Sequence, residues 1–331
     1  MKNVIFFLFL ILTLGVNSQE QKYVTVERTL KLMGSRFDIT IVSESEVQAN
    51  ISIDEVIAEI KRIEKIISSW DENSETSLIN KNAGIQPVKV SSELFNLIER
   101  AIKISEITDG AFDITYASMD KVWKFDGSMD REPTPLEIAN SIANVGFTNI
   151  VLDKEKTTVF LKKTGMKIGF GAIGKGYAAD KAKELMISKD VFAGIINASG
   201  DLTTWGRQAS GEKWIVGITN PLDKEKVFSW LPIDNSSVAT SGNYEKFVSF
   251  KGEKYSHIID PRTGYPSKGI NSVSVFSKSA ELCDALATAV FIMGKETGLS
   301  FINQLNGAEI IIVDSDNKIT KSNGITFDKN E

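Results

Sequence analysis

The sequence is poor in the residues that usually announce chemistry. It has one cysteine, Cys283, and one histidine, His257, in 331 residues. A lone cysteine cannot close an intramolecular disulfide. A lone histidine excludes His-rich zinc sites and any reaction needing two imidazoles. Cationic excess is missing as well: Lys+Arg number 38 against 43 Asp+Glu, a net charge of −5. That balance argues against nucleic acid or an anionic membrane as the main partner, since both need a basic face. It also means that any phosphate ligand must be met by local help from backbone N–H groups, a lysine or a metal. With 42% apolar and 24% charged residues, collagen-like and disordered readings fall away, and the length suits one large domain or two intimately packed ones.

A long spanning run is also lacking. Lys2 precedes the apolar stretch Val4–Leu14, followed by Gly15, Val16, Asn17 and Ser18. This is short of the roughly 20 residues that cross a bilayer and fits a secretory signal peptide over residues 1–18, cut after Ser18. An uncleaved anchor is the alternative. No cysteine stands near the cut, which points away from a lipid-anchored form, and residues 19–331 are expected to form the functional domain.

Alternation over Val24–Leu32 and Ser35–Ile41 predicts a hairpin about Met33-Gly34. Ser52 with Glu55 reads as a capping box before a helix that buries Val56, Ile60, Ile63 and Ile67 and ends near Trp70. Further helices are expected from Ser92 to Thr108 with Gly110 as the stop, from Thr134-Pro135, after Gly176, from Ala280 to Met293, and on to Asn306. Short strands are expected at Ile150–Leu152, Thr158–Leu161, Ala193–Ile196, within Trp214–Phe250, and at Glu309–Val313 with Lys318–Thr320. Helices and strands mix without strict βαβ alternation, so the fold class is α+β.

The segment Gly169-Phe-Gly171-Ala-Ile-Gly174-Lys175-Gly176 spells both a dinucleotide fingerprint and most of a P-loop. Neither fit holds. Gly176 stands where a P-loop needs Ser or Thr, and Asp190 precedes a strand instead of ending one. What survives is physical: glycines admit close backbone approach, a helix N-terminus attracts anions, and Lys175 adds positive charge. A tight strand-to-helix turn with a solvated lysine explains the segment equally. Asp284 and Thr288 are one helical turn apart in an otherwise apolar stretch, and their hard oxygens suit Mg²⁺. A helix-start Asp and a Thr bonded back to the main chain is the bland alternative. His257 is the one imidazole available as a base near neutral pH; it also suits simple packing against the Asp260-Pro261 turn. Trp70 is placed to stack on a heterocycle or to seal the core. Asn197–Asp201 and Ala239–Glu245 are glycine-centred polar turns of the kind that line sites or merely reverse the chain.

Eight blocks taken together carry more than any one of them: Met33-Gly34-Ser35; Ser69-Trp70 with Ser74, Glu75 and Ser77; TDGAFD at 108–113; GAIGKGYAAD at 171–180; NASGD at 197–201; ATSGNYE at 239–245; HIIDPRTG at 257–264; and CDALATAVFIMG at 283–294. In this order the chain resembles the ApbE family of FAD:protein FMN transferases over nearly its whole length. The resemblance implies a T-fold-like α+β architecture of two intimately packed lobes with FAD between them. It also implies transfer of the FMN half of FAD onto a threonine hydroxyl of an exported or membrane protein, with AMP released. By matching motifs, Met33, Trp70, Ala111, Phe112, Asp113, Lys175 and Ile258 would contact FAD. Mg²⁺ would sit among the Ala172 carbonyl, Asp284 and Thr288, and His257, Lys175 and Asp284 would be the catalytic groups.

Three departures stand out: Gly169 where many members carry Asp, Ala287 where some carry a second carboxylate, and no lipoprotein cysteine. Other readings of the same site are a Mg²⁺-dependent FAD pyrophosphatase yielding FMN and AMP, and a non-catalytic FAD-binding protein. The resemblance further implies an exported, periplasmic location, free or at the membrane face. It also implies a threonine-bearing acceptor subunit of an ion-pumping NADH:quinone or electron-transfer complex.

Overall fold

The computed structural model of the chain describes residues 23–220, 223–243, 247–250 and 252–325. The segment expected to be a signal peptide lies outside the described residues, as do Tyr244 and Glu245. In chain order the elements are β1 (Val24–Leu32), β2 (Ser35–Ser43), α1 (Glu46–Ile67), α2 (Glu75–Lys81), β3 (Val88–Lys89), α3 (Ser92–Ile107), α4 (Pro135–Ser141), β4 (Ile150–Asp153) and β5 (Thr158–Leu161). They continue with α5 (Gly174–Ser188), β6 (Ala193–Ala198), β7 (Asp201–Trp205), β8 (Trp214–Asn220), β9 (Asp223–Ile233), β10 (Ser237–Gly242), β11 (Phe247–Phe250), β12 (Glu253–Ser256), β13 (Ile270–Ser277), α6 (Ala280–Met293), α7 (Lys295–Ile302), β14 (Ala308–Asp314) and β15 (Ile319–Lys321).

Eight strands form one sheet in the order β1-β2-β6-β7-β10-β13-β14-β15, and every neighbouring pair in it is antiparallel. The fold is therefore α+β, and the glycine-rich segment before α5 does not sit in a parallel βαβ unit, which removes the dinucleotide-crevice reading on topology. Side chains alternate across the sheet as the period of two requires. Phe37, Ile39 and Ile41 of β2 face one cluster with α1, α3 and α5. Val42 faces the opposite side with Trp214, Val216 and Ile233 of the β8–β9 hairpin. A helical layer of α1, α5 and α6 covers the first face, and α6 and α7 extend it over β13 and β14.

Most expected elements form close to their predicted ends. Thr134 and Glu137 make a full capping box at α4, and the Met33-Gly34 turn closes the β1–β2 hairpin with both residues at positive φ. The predicted start of α1 is wrong. The helix begins seven residues earlier, with Ser45 as the cap accepting from the Gln48 N–H, and Ser52 lies buried inside it. The reason is the apolar stripe itself: Ala49 and Ile53 continue the Val56, Ile60, Ile63, Ile67 face backward and are fully buried. Burial of that stripe outweighs a local capping pattern. Similarly α7 stops at Ile302, short of Asn306, and Gly307 turns with φ 83°.

The packing of α5 on α6 positions the site. A methyl group on Gly176 would stand 2.1 Å from the Ala280 carbonyl oxygen, so the helices meet through bare backbone at that point. Forcing a side chain into such a contact costs about 1–3 kcal/mol. Gly176→Ala should lower the midpoint of denaturant unfolding accordingly, whereas an unchanged midpoint would mean that α5 can move off α6 freely.

Candidate active site

One end of the sheet opens into a cleft of about 1060 Å³, at the upper end of the roughly 300–1000 Å³ typical of ligand cavities. Its walls come from places distant in sequence, among them the stretch from Ala111 to Ala117, the glycine-rich turn before α5, the β6–β7 turn, the end of β10, the loop at His257–Pro261, and α6.

The start of α5 has no capping side chain of its own, so its first N–H groups need partners. One comes from α6: the Gly176 N–H donates to Asp284 Oδ2 at 3.2 Å. Asp284 is 6% exposed. Burial holds its carboxyl above the usual carboxylate range, opposed by the Lys175 ammonium and by the main-chain N–H groups of Gly176 and Lys175. The helix N-terminus expected to attract an external anion is thus already turned on the protein's own carboxylate. One turn along α6, Thr288 lines the cleft, with its hydroxyl 3.4 Å from that of Ser241 on β10. Ala172, in the turn leading into α5, faces the same space.

Asp201 was not singled out from sequence, yet it lies at the heart of this cluster. It follows the two-residue turn Ser199-Gly200, both residues at positive φ, as two-residue hairpins require. It is 4% exposed, and its carboxylate is ion-paired with the Lys175 ammonium. Burial and the charge of Asp284 push its carboxyl up to about 7, with Lys175 pulling the other way. Its sequence signal was membership of the NASGD block at 197–201, read as a turn that lines a site or reverses the chain, with no role given to the acid itself. The second residue missed is Asp180. It accepts from the Ala280 N–H at 2.9 Å, the Glu281 N–H at 3.0 Å and the Ser279 hydroxyl at 2.7 Å, and so caps α6 from α5.

The remaining predicted residues divide. His257 lines the cleft, and its ring meets Phe125 edge-on at 6.4 Å between centroids. Ile258 is beside it, with its N–H on the Ser256 hydroxyl and its carbonyl accepting from Ser267. Trp70 stands at the mouth, 84% exposed, with the Lys121 ammonium 5.4 Å from its ring centre. Ala111 and Phe112 are buried wall residues. The carboxylate of Asp113 is taken up by the Thr115 N–H and hydroxyl and by the Phe147 N–H, so Asp113 shapes the wall; burial raises its carboxyl all the same. Met33 does not line the cleft. It sits against the Gly174 turn from behind, its Cε 3.8 Å from where a Gly174 Cβ would stand. Of the departures, Gly169 has Ala117 in the way, 3.0 Å from a Cβ there, and Ala287 is buried in the apolar cluster under β13 and β14.

Among the described residues the cleft holds Asp113, Asp201 and Asp284 against one lysine ammonium. Among the described residues no three His, Cys, Asp or Glu side chains converge to grip a metal. Asp284, Thr288 and the Ala172 carbonyl nonetheless offer an all-oxygen set, and the surplus of buried negative charge is what a hard divalent cation would offset. The residues present therefore fit Mg²⁺.

Comparison with known proteins places the chain in a family. Residues 33–312 match the model of the ApbE family. A FAD:protein FMN transferase of Klebsiella pneumoniae is 31% identical over 88% of this chain and 90% of its own. One of Haemophilus influenzae is 25% identical over 96% and 94%. The crystal structure of the ApbE protein from Thermotoga maritima superposes with a TM-score of 0.82 at 31% identity, covering 91% of this chain and 97% of that one. A flavin transferase ApbE from Vibrio cholerae, at 23% identity and TM-score 0.80, shares the fold.

A carboxyl whose pKa is raised on folding binds its proton more tightly in the native state, so stability falls as pH rises from the unfolded value toward the folded one. For Asp201 that window runs from its ordinary 3.8 to about 7. In metal-free buffer the melting temperature should fall across this range, and Asp201→Asn should flatten the fall. An identical pH slope in the variant would show that Asp201 is not the titrating group.

Proposed function

The chain belongs to the ApbE family, and from that premise we propose that it is a flavin transferase that moves FMN from FAD to a threonine hydroxyl of an acceptor protein and releases AMP. The observation that carries this reading is the convergence in one cleft of Asp284, Thr288, Ala172, Lys175 and His257 from three separate stretches of chain. Storage of flavin needs neither a buried acidic cluster nor an imidazole.

Asp284, Thr288 and the Ala172 carbonyl would hold Mg²⁺, which supplies Lewis-acid neutralisation of the pyrophosphate charge. The chain's own groups do the rest. Positioning and electrostatics dominate phosphoryl transfer. The Lys175 ammonium faces the phosphates and offsets part of their charge. Ala111, Phe112 and the exposed face of Trp70 provide an apolar and aromatic wall for the flavin. Ile258 and Pro261 fix the loop that presents His257. The acceptor hydroxyl oxygen forms a bond to the FMN phosphorus while its proton passes to the His257 imidazole. The bond from that phosphorus to the bridging oxygen breaks, and its electron pair leaves with AMP. With the acceptor absent and water in its place, the same steps yield free FMN. The sequence features at residues 1–18 support an exported, periplasmic setting, where a threonine-bearing subunit of an ion-pumping or electron-transfer complex would be the acceptor.

Incubation of the purified protein with FAD and Mg²⁺, with and without such an acceptor, decides the reaction. Fluorescence retained on the acceptor in a denaturing gel is the expected result; free FMN alone would indicate hydrolysis, and unaltered FAD would indicate storage. Because Asp284 also caps α5, Asp284→Asn is the better probe than alanine: it keeps an oxygen for the Gly176 N–H and should abolish stimulation by Mg²⁺. An Asp284→Asn variant with wild-type Mg²⁺ dependence removes Asp284 from the cation site. His257→Ala should bind FAD normally and transfer FMN about 10²–10⁴-fold more slowly, the usual worth of general-base catalysis. Transfer at the wild-type rate would dismiss His257 as the base.

A further inference from the structure

We propose that Asp201 is a positioning residue: its carboxylate draws the Lys175 ammonium away from Asp284, leaving the Asp284 oxygens available to a divalent cation. The inference rests on the cation reading above and adds a residue to it.

Lys175 lies in the first turn of α5, whose N–H groups are directed at Asp284. Its side chain therefore starts beside the one carboxylate it most readily neutralises, and the ammonium already lowers the charging cost of Asp284. An ammonium next to a buried carboxylate settles into an ion pair with it unless another acid competes. In that arrangement a cation would have to displace the lysine before binding. Asp201 is the competitor. It reaches the cleft from β7, and the Lys175 ammonium donates to its Oδ2.

The position of Asp201 is otherwise unfavourable for an acid. It opens a strand buried along its whole length, where a carboxylate costs free energy unless it is paired. Nothing in the β6–β7 hairpin requires it: the turn is closed by the Gly200 N–H on the Asn197 side chain and by the Ser199 hydroxyl on the Arg36 carbonyl. What the carboxylate does accomplish is to fix where the lysine points. Two buried acids share one ammonium, and the one left less neutralised is Asp284, which stands one turn from Thr288. Removing the charge of Asp201 releases Lys175 onto Asp284 and closes the cation site from within.

The test is calorimetric titration of Mg²⁺ into the full nucleotide-free chain at pH 8, for wild type, Asp201→Asn, Lys175→Met and the double variant, with melting temperatures for all four. Asp201→Asn should weaken Mg²⁺ binding about ten- to hundredfold, the usual effect of losing a group that orients a metal ligand. The double variant should regain wild-type affinity, because no ammonium remains to occupy Asp284. Asp201→Asn with unchanged affinity overturns the proposal. So does a double variant as weak as Asp201→Asn: with melting intact it makes Asp201 a cation ligand, and with melting lowered it makes Asp201 structural. Wild type that binds no Mg²⁺ overturns the cation reading itself, a result distinct from either.

Discussion

Everything in the cleft depends on an exchange of carboxylates between two helices. Asp284 of α6 accepts from the first turn of α5, and Asp180 of α5 accepts from the first turn of α6. Each helix N-terminus carries unsatisfied N–H groups and partial positive charge, and each is met by an acid from the other. Close approach is possible because Gly176 has no Cβ to strike the Ala280 carbonyl. The exchange fixes the depth and rotation of α5 against α6, and with them the places of Lys175, Ala172 and Thr288. Because Asp284 both caps α5 and faces the cleft, folding and the proposed cation binding would draw on the same carboxylate.

This coupling explains the charge arrangement. A chain with net charge −5 proposed to act on a doubly charged pyrophosphate would be expected to collect lysines, yet among the described residues its cleft is lined by a single ammonium and three carboxyls. Such a site repels an anion on its own. With a divalent ion held by oxygen ligands the balance reverses, and anion and cation then bind together more readily than either does alone. In the proposed reading, acidity at the site would make nucleotide binding conditional on the metal.

The sequence made the architecture legible wherever the signal was local. The alternation of β1 and β2, the Thr134–Glu137 box and the Gly110 stop each needed only a few neighbouring residues, and each formed as expected. The start of α1 was misread because Ser52 and Glu55 imitate a cap, while the burial of Ala49 and Ile53 that overrides them depends on the sheet below. At the site, Asp284, Thr288, Lys175 and His257 were legible from spacing and from the family blocks, and all four line one cleft. Met33 belongs to the same blocks but supports the glycine turn from outside the cleft. Asp201 and Asp180 were not legible, since their work is done on residues from other elements: Lys175 for one, Ser279–Glu281 for the other.

The glycine-rich segment shows why local resemblance misleads in such a fold. In a P-loop the same spacing leaves a ring of N–H groups open to phosphate. Here the topology is antiparallel and α6 lies across the mouth of the turn, so Asp284 takes the Gly176 N–H that a phosphate would want. The backbone cannot then be the main anion receptor. Recognition must pass to side chains and to whatever neutralises Asp284 and Asp201, which is why the hydroxyl of Thr288, one turn beyond Asp284, matters more than the glycines that first attract the eye. The absence of Ser or Thr after Lys175 follows from the same geometry: a hydroxyl at position 176 would need a Cβ within 2.1 Å of the Ala280 carbonyl oxygen. In the proposed reading, the hard oxygen that a P-loop supplies from its own helix would come instead from α6, the helix that Gly176 allows to come close.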